Sequence, residues 1–285
     1  MGKKTVFIKI AGLGIDVRST VDFARFGDSG FYADFITAPA SACDCRLDYK
    51  VSPPPELMPC DSFFESGNWR LFRSAGKDVL VVGPPRMDGV ADNVSVFDPD
   101  YSAGTIYQKS VSELFSRFID QFLVINLLSQ KDGFLLHASG VVWEGKGICF
   151  VGPSGAGKST LLDLFGKELP RKSLLNDDRL ALRRSGGVWR LFGTPWYGES
   201  RVSSSAGADL STLFFIRHSK KNYVRRLSAA EACRHLMVQA LMPLWDEGAT
   251  SRVLGIFEDL IGNVPSYELG FLPARSAVRL VKSVI

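Results

Sequence analysis

The sequence predicts an α/β protein in two parts: a β-rich N-terminal region over residues 1–109 and an α/β region over residues 110–285. Three observations predict it. Short apolar runs separated by turn residues fill much of the first region. A helical apolar period occupies residues 110–130. Over residues 148–165 an apolar strand, a glycine-rich loop and a second apolar-periodic segment follow one another.

Composition narrows the function classes. A chain of 285 residues holds one large domain or two modest ones, and 46% hydrophobic residues suffice for a buried core. The net charge of +4 and pI near 8.8 suit a phosphate-lined pocket and fall short of a nucleic-acid signature. No run of 18 apolar residues predicts a membrane span. The N-terminus lacks an apolar signal core, and Val6 breaks the myristoylation pattern. The five cysteines are Cys43, Cys45, Cys60, Cys149 and Cys233, an odd and scattered set that argues against a disulfide framework. Cys43, Cys45 and Cys60 read either as three soft metal ligands or as reduced thiols of a cytoplasmic protein. No histidine lies near them to complete a zinc site.

In chain order, residues 6–10 and 13–17 read as two strands across Ala11-Gly12. A loop rich in Ala, Ser, Asp and Pro follows and includes Pro53-Pro54-Pro55. Strands resume at residues 69–72, 79–82, 94–97 and 105–107. This region reads as a small β-domain or as a substrate-recognition module. Ser110 and Glu113 form a capping box for the helix over residues 110–130. Residues 141–143 and 148–151 lie four residues apart, too close for a parallel crossover, and so predict an antiparallel hairpin. A second hairpin is expected from residues 174–182 into 188–192, a buried strand at 213–216, and helices over about 229–241 and 251–261. The tail predicts a strand near 267–272 and a helix from Ala274.

Gly152-Pro153-Ser154-Gly155-Ala156-Gly157-Lys158-Ser159-Thr160 fits G-x-x-x-x-G-K-[ST]. Glycines let successive N–H groups turn around a phosphate without Cβ clashes. Lys158 would reach the β- and γ-phosphates and the Ser159 hydroxyl would ligate Mg²⁺. A strand before and a helix after the loop aim the helix N-terminus at the anion.

Asp177 and Asp178 follow by about 20 residues and sit at a strand end or a tight turn. They read either as a solvated turn or as the two carboxylates that phosphoryl transfer needs, one on Mg²⁺ and one taking a proton from a hydroxyl. His137 reads either as a hydrogen-bonded edge residue or as a neighbour of the transferred phosphate. Trp196, Tyr197, Glu199 and Arg201 form a polar-aromatic loop placed to cap the site. The basic stretch from His218 to Asn222, with Arg225 and Arg226, reads as an exposed turn or as a dock for acidic substrates.

In this order and spacing, the segment from Leu136-His137-Ala138-Ser139-Gly140-Val141 through the glycine loop to Asn176-Asp177-Asp178 resembles the catalytic domain of HPr kinase/phosphorylase. That domain is related in fold to phosphoenolpyruvate carboxykinase. The resemblance covers residues 133–270. It implies a P-loop core with a mixed sheet, use of ATP and Mg²⁺, and phosphorylation of a serine hydroxyl. It implies phosphate and Mg²⁺ handling by Lys158 and Ser159, Asp177 as catalytic base, Asp178 as a metal-site carboxylate and His137 as an active-site neighbour. The related enzymes assemble into oligomers, so a homo-oligomer is implied. Thr160 stands where the bifunctional enzymes carry an acidic residue. The closer resemblance is to HPr-kinase-like proteins found beside peptide-modification genes, whose acceptor would be a protein or peptide hydroxyl. The rival expectations are a nucleotide-binding regulatory module without transfer and a kinase for a small molecule such as free serine.

Overall fold

The computed structural model describes residues 4–19, 31–40, 42–54, 61–83, 93–108 and 117–285. The chain divides into two compact units, Met1–Leu127 and Leu128–Ile285. The cut falls within the helix Arg117–Ser129, near its end. Both units are built on large mixed sheets with few helices, an α/β architecture.

The first unit contains β1 (Lys4–Ile10), β2 (Leu13–Ser19), β3 (Ile36–Thr37), β4 (Cys45–Val51), β5 (Ser62–Ser66), β6 (Trp69–Ser74), β7 (Lys77–Val82), β8 (Asn93–Phe97) and β9 (Ala103–Gln108). They form one sheet in the order β3-β1-β2-β4-β9-β8-β7-β6-β5. β4 lies in its middle, parallel to both β2 and β9, although the sequence suggested a loop there. The physical signal is a period of two: Cys45, Leu47 and Tyr49 are buried while Arg46 and Lys50 are exposed. β5 is likewise a strand where a loop was expected. The helix α1 (Arg117–Ser129) sets Phe118 and Phe122 against Trp69, with ring centroids 5.2 and 6.2 Å apart. The capping box expected at Ser110 and Glu113 lies outside the described residues.

The second unit holds β10 (Gly133–Trp143), β11 (Lys146–Val151), α2 (Lys158–Gly166), β12 (Leu174–Asn176), β13 (Arg179–Ser185), β14 (Val188–Gly193), β15 (Gly207–His218) and β16 (Tyr223–Arg226). It continues with α3 (Ala229–Gln239), β17 (Ala240–Leu241), α4 (Glu247–Asn263), β18 (Ser266–Phe271) and α5 (Arg275–Lys282). The β10–β11 hairpin forms as expected, but its strands pair up to Trp143↔Lys146, leaving only Glu144 and Gly145 in the turn. Both carry positive φ, 50° and 78°, the geometry that matches a two-residue turn to the twist of its strands.

β11 is paired on both edges, antiparallel to β10 and parallel to β15. That second pairing closes β10, β13, β14, β15 and β11 into a ring. Successive residues of β11 face opposite sides. Ile148 and Phe150 pack with Leu161, Phe165 and Val278 from α2 and α5. Cys149 and Val151 pack with Leu236, Val253 and Phe257 from α3 and α4. The strand that feeds the glycine loop is thus buried on both faces and hydrogen-bonded on both edges, which gives the loop a rigid base. α3 opens with the expected capping box: Ser228 Oγ accepts the Glu231 N–H while the Glu231 carboxylate accepts the Ser228 N–H. No helix among the described residues is long and apolar enough to cross a membrane.

Candidate active site

Residues 152–157 form a tight loop between β11 and α2. Gly157, the N-cap of α2, has φ +100°, and a Cβ there would lie 2.9 Å from the Phe271 ring. Both facts require glycine. Because Gly157 has no side chain, the first-turn N–H groups of α2 have no side-chain cap and face the loop. Lys158 is only 6% exposed, and its ammonium donates to the carbonyls of Gly152 (2.8 Å) and Pro153 (3.0 Å). Burial pulls its pKa below the usual lysine value; Asp178 pushes it back up and Arg179 adds to the fall. Ser159 is half-buried and Thr160 exposed at the start of the helix.

β10 carries the loop and the carboxylates on its two edges. Ala138 sits opposite Val151, the last residue of β11, and its N–H donates to the Asp178 carbonyl at 3.2 Å. β12 and β13 both run antiparallel along that far edge, separated by Asp177 and Asp178. Asn176 makes the break: its buried Oδ1 accepts the N–H groups of Asp178 and Arg179, both at 2.7 Å, and its Nδ2 donates to the Thr194 carbonyl. This local Asx turn is stable because it satisfies backbone donors that the interrupted ladder would leave open. Ser139, next along β10, donates to the Lys158 carbonyl at 3.3 Å and ties the helix start to the same strand.

The two aspartates have different surroundings. Asp177 is 3% exposed; its Oδ1 accepts the Gly198 N–H at 2.9 Å and its Oδ2 the Ser200 N–H at 2.7 Å. Asp178 has a side chain 26% exposed, with Oδ1 3.1 Å from His137 Nε2 and 2.7 Å from an Arg179 guanidinium nitrogen. His137, 25% exposed, lies opposite Arg179 in the β10–β13 pairing. The structure therefore brings His137, Asp178 and Arg179 together and sets Asp177 into the wall behind them.

That wall is the loop over residues 194–201. The Thr194 hydroxyl donates to the Arg179 carbonyl at 2.7 Å, and Ser203 Oγ donates to the Thr194 carbonyl. A Cβ on Gly198 would meet Asp177 Oδ2 at 3.0 Å and Asp178 Cβ at 3.1 Å, so the loop backbone lies directly on both aspartates. Trp196, expected among the capping side chains, is instead wholly buried and anchors the loop. Tyr197 is half-buried, while Glu199 and Arg201 are exposed. Of the basic stretch, Arg225 pairs with Glu231 and Glu268, while His218 Nε2 lies 2.7 Å from the Gly155 carbonyl. Sequence reading gave no role to Asn176, although it stood in the quoted run, and had not singled out Thr194, Arg179 or Ser200. Only Asn176 carried a local signal, an Asx residue at an expected turn.

The donors present fit Mg²⁺ held partly through substrate phosphates, a mode that needs one or two protein oxygens such as Ser159 and Asp178. Among the described residues no group of three or more His, Cys, Asp or Glu forms a self-contained metal cage. The soft-ligand reading of Cys43 and Cys45 is unsupported by any such group, and Cys60 lies outside the described residues.

No family model matches the chain, and no curated protein matches it. Among solved structures it is similar to the Hpr(Ser) kinase/phosphatase from Coxiella burnetii, with 14% identity and a TM-score of 0.29 over 53% of this chain and 89% of that one. At that score the likeness carries no weight for fold or activity.

Proposed function

We propose that the chain is an ATP- and Mg²⁺-dependent kinase that transfers the γ-phosphoryl group to a hydroxyl, a serine of a protein or peptide. One observation carries the reading. Ala138 of β10 has the mouth of the glycine loop on one side and the Asp177–Asp178 turn on the other, so phosphate donors and a carboxylate–imidazole pair flank a single residue. Bound Mg²⁺ would supply charge neutralisation at the phosphates, held by Ser159 and the phosphate oxygens, which leaves Asp178, expected among its ligands, to the acceptor. Residues Gly152 to Thr160 cradle the triphosphate through backbone N–H groups and the start of α2. Lys158 leaves the Gly152 and Pro153 carbonyls for the β- and γ-phosphate oxygens, which are charged and so stronger acceptors.

The carboxylate roles divide by accessibility. Asp178, partly exposed and paired with His137, faces the acceptor. The acceptor proton passes to the His137–Asp178 pair, with Arg179 fixing the carboxylate. Asp177 was expected to be the base, but both its oxygens already hold N–H groups of the 194–201 loop, so we assign it to shaping the acceptor wall. Titration of ATP against purified variants tests the division. Lys158→Ala should lose nucleotide affinity at least tenfold. Asp178→Asn should bind ATP nearly as wild type and fail in transfer. Asp177→Asn should retain part of the transfer while losing about 1–3 kcal/mol of stability through its disturbed loop contacts. Full transfer by Asp178→Asn would sink this assignment.

A further inference from the structure

We propose that His218 is a positioning residue for the glycine-rich loop. Through the Gly155 carbonyl it holds the Gly155–Ala156 peptide with its N–H turned inward, toward the phosphates of a nucleoside triphosphate. The proposal rests on the nucleotide-binding reading above and concerns a residue that the transfer chemistry does not use.

Strand pairing places the histidine. β15 is the parallel neighbour of β11, and Phe215 lies opposite Val151, where β11 runs into the loop. His218 ends β15 three residues further on, alongside the loop rather than beneath it. Its Nε2 is 2.7 Å from the Gly155 oxygen, and a carbonyl only accepts, so Nε2 carries the proton and donates. In a trans peptide the C=O and the next N–H point in opposite directions. Drawing the Gly155 oxygen toward His218 therefore sends the Ala156 N–H the other way. That N–H donates within the loop to the Pro153 carbonyl at 3.2 Å, at the long end of the hydrogen-bond range. A phosphate oxygen is a stronger acceptor and would take its place.

The loop needs such a hold. Gly155 has φ +78°, and a Cβ there would meet nothing within 4 Å. Burial of Ala156 holds the far end of the following peptide, while at Gly155 neither a side chain nor its packing fixes the carbonyl. Lys158 holds the Gly152 and Pro153 carbonyls, but the proposed mechanism moves that ammonium onto the nucleotide. His218 then remains as the side chain that holds the loop backbone from outside. It acts on the ground-state cradle rather than on the reacting atoms, so its removal weakens nucleotide binding rather than the transfer step.

Calorimetric titration of the full chain with Mg·ATP and Mg·ADP tests this with His218→Ala, His218→Phe and His218→Gln. The Ala and Phe variants should weaken both nucleotides about three- to tenfold, the worth of one hydrogen bond. The Gln variant, which keeps a donor at the reach of Nε2, should recover most of the affinity. Unchanged affinity in Ala and Phe overturns the proposal, and so does a Gln variant as weak as Ala, because a donated hydrogen bond is the claim. Wild-type protein without affinity for either nucleotide overturns the nucleotide reading itself, and the proposal with it. That result is distinct from a loss seen only in the variants.

Discussion

At the residue scale, environment rather than identity separates Asp177 from Asp178. Adjacent residues at a strand break point in different directions, and one meets backbone N–H groups while the other meets His137 and Arg179. The sequence could supply the pair but not this split, which depends on a loop 20 residues further along. A third aspartate shows what burial does without such partners. Asp120, in the first unit, is 5% exposed among apolar side chains and accepts a hydrogen bond from the Tyr32 hydroxyl. Burial drives its pKa well above the ordinary carboxylate value of 3.8, against a smaller lowering by Tyr32. The folded state thus keeps a proton that the unfolded state releases above about 3.8. This carboxyl's contribution to stability is full below that pH and falls as pH rises toward the folded-state pKa. Asp120→Asn keeps an acceptor for Tyr32 and cannot ionise. Denaturant melts between pH 4 and pH 8 should show the wild type losing stability relative to this variant as pH rises. A constant difference across that range would contradict the account.

At the element scale, the 194–201 loop and the 176–179 turn behave as one piece. Asn176, Asp177 and Thr194 cross-link them, and Trp196 roots the loop in the core. Trp196→Ala should cost about 3–5 kcal/mol in denaturant unfolding and should impair transfer more than nucleotide binding, since the loop backbone lies directly on the aspartates. Unimpaired transfer in a folded Trp196→Ala protein would contradict that coupling. Much of this level was legible in the sequence. The strand, loop and helix over 146–166, both hairpins and the Ser228 capping box stand where local chemistry put them. Trp196 was misjudged because a Trp between Pro and Tyr in a glycine-bounded loop reads as exposed, and only tertiary packing shows what it fills. β4 was missed for the opposite reason: Asp48, Arg46 and Lys50 hide an alternation whose buried members include Cys45 and Tyr49. Flanking Ser, Ala and Pro residues then make the segment look like part of a loop.

At the scale of the whole molecule, the second unit is a ring of strands with helices on both faces, and the candidate site lies where that ring is interrupted. β11 ends in the glycine loop, the β12–β13 edge breaks at the two aspartates, and β10 passes between them. The hairpin into the loop was legible from four residues of spacing, because no parallel crossover is that short. The parallel pairing of β11 with β15 was not, since the partner lies some 60 residues away and neither strand encodes it locally. That pairing is also what sets His218 beside Gly155. The central claim is phosphoryl transfer from ATP at this interruption. It is tested most directly by incubating purified wild type and Asp178→Asn with γ-labelled ATP, Mg²⁺ and an extract of the source cells, then separating products by mass. The account predicts label in a protein or peptide with wild type and none with Asp178→Asn, although both bind ATP. Equal labelling by the two proteins, or no labelled acceptor despite bound ATP, would contradict it.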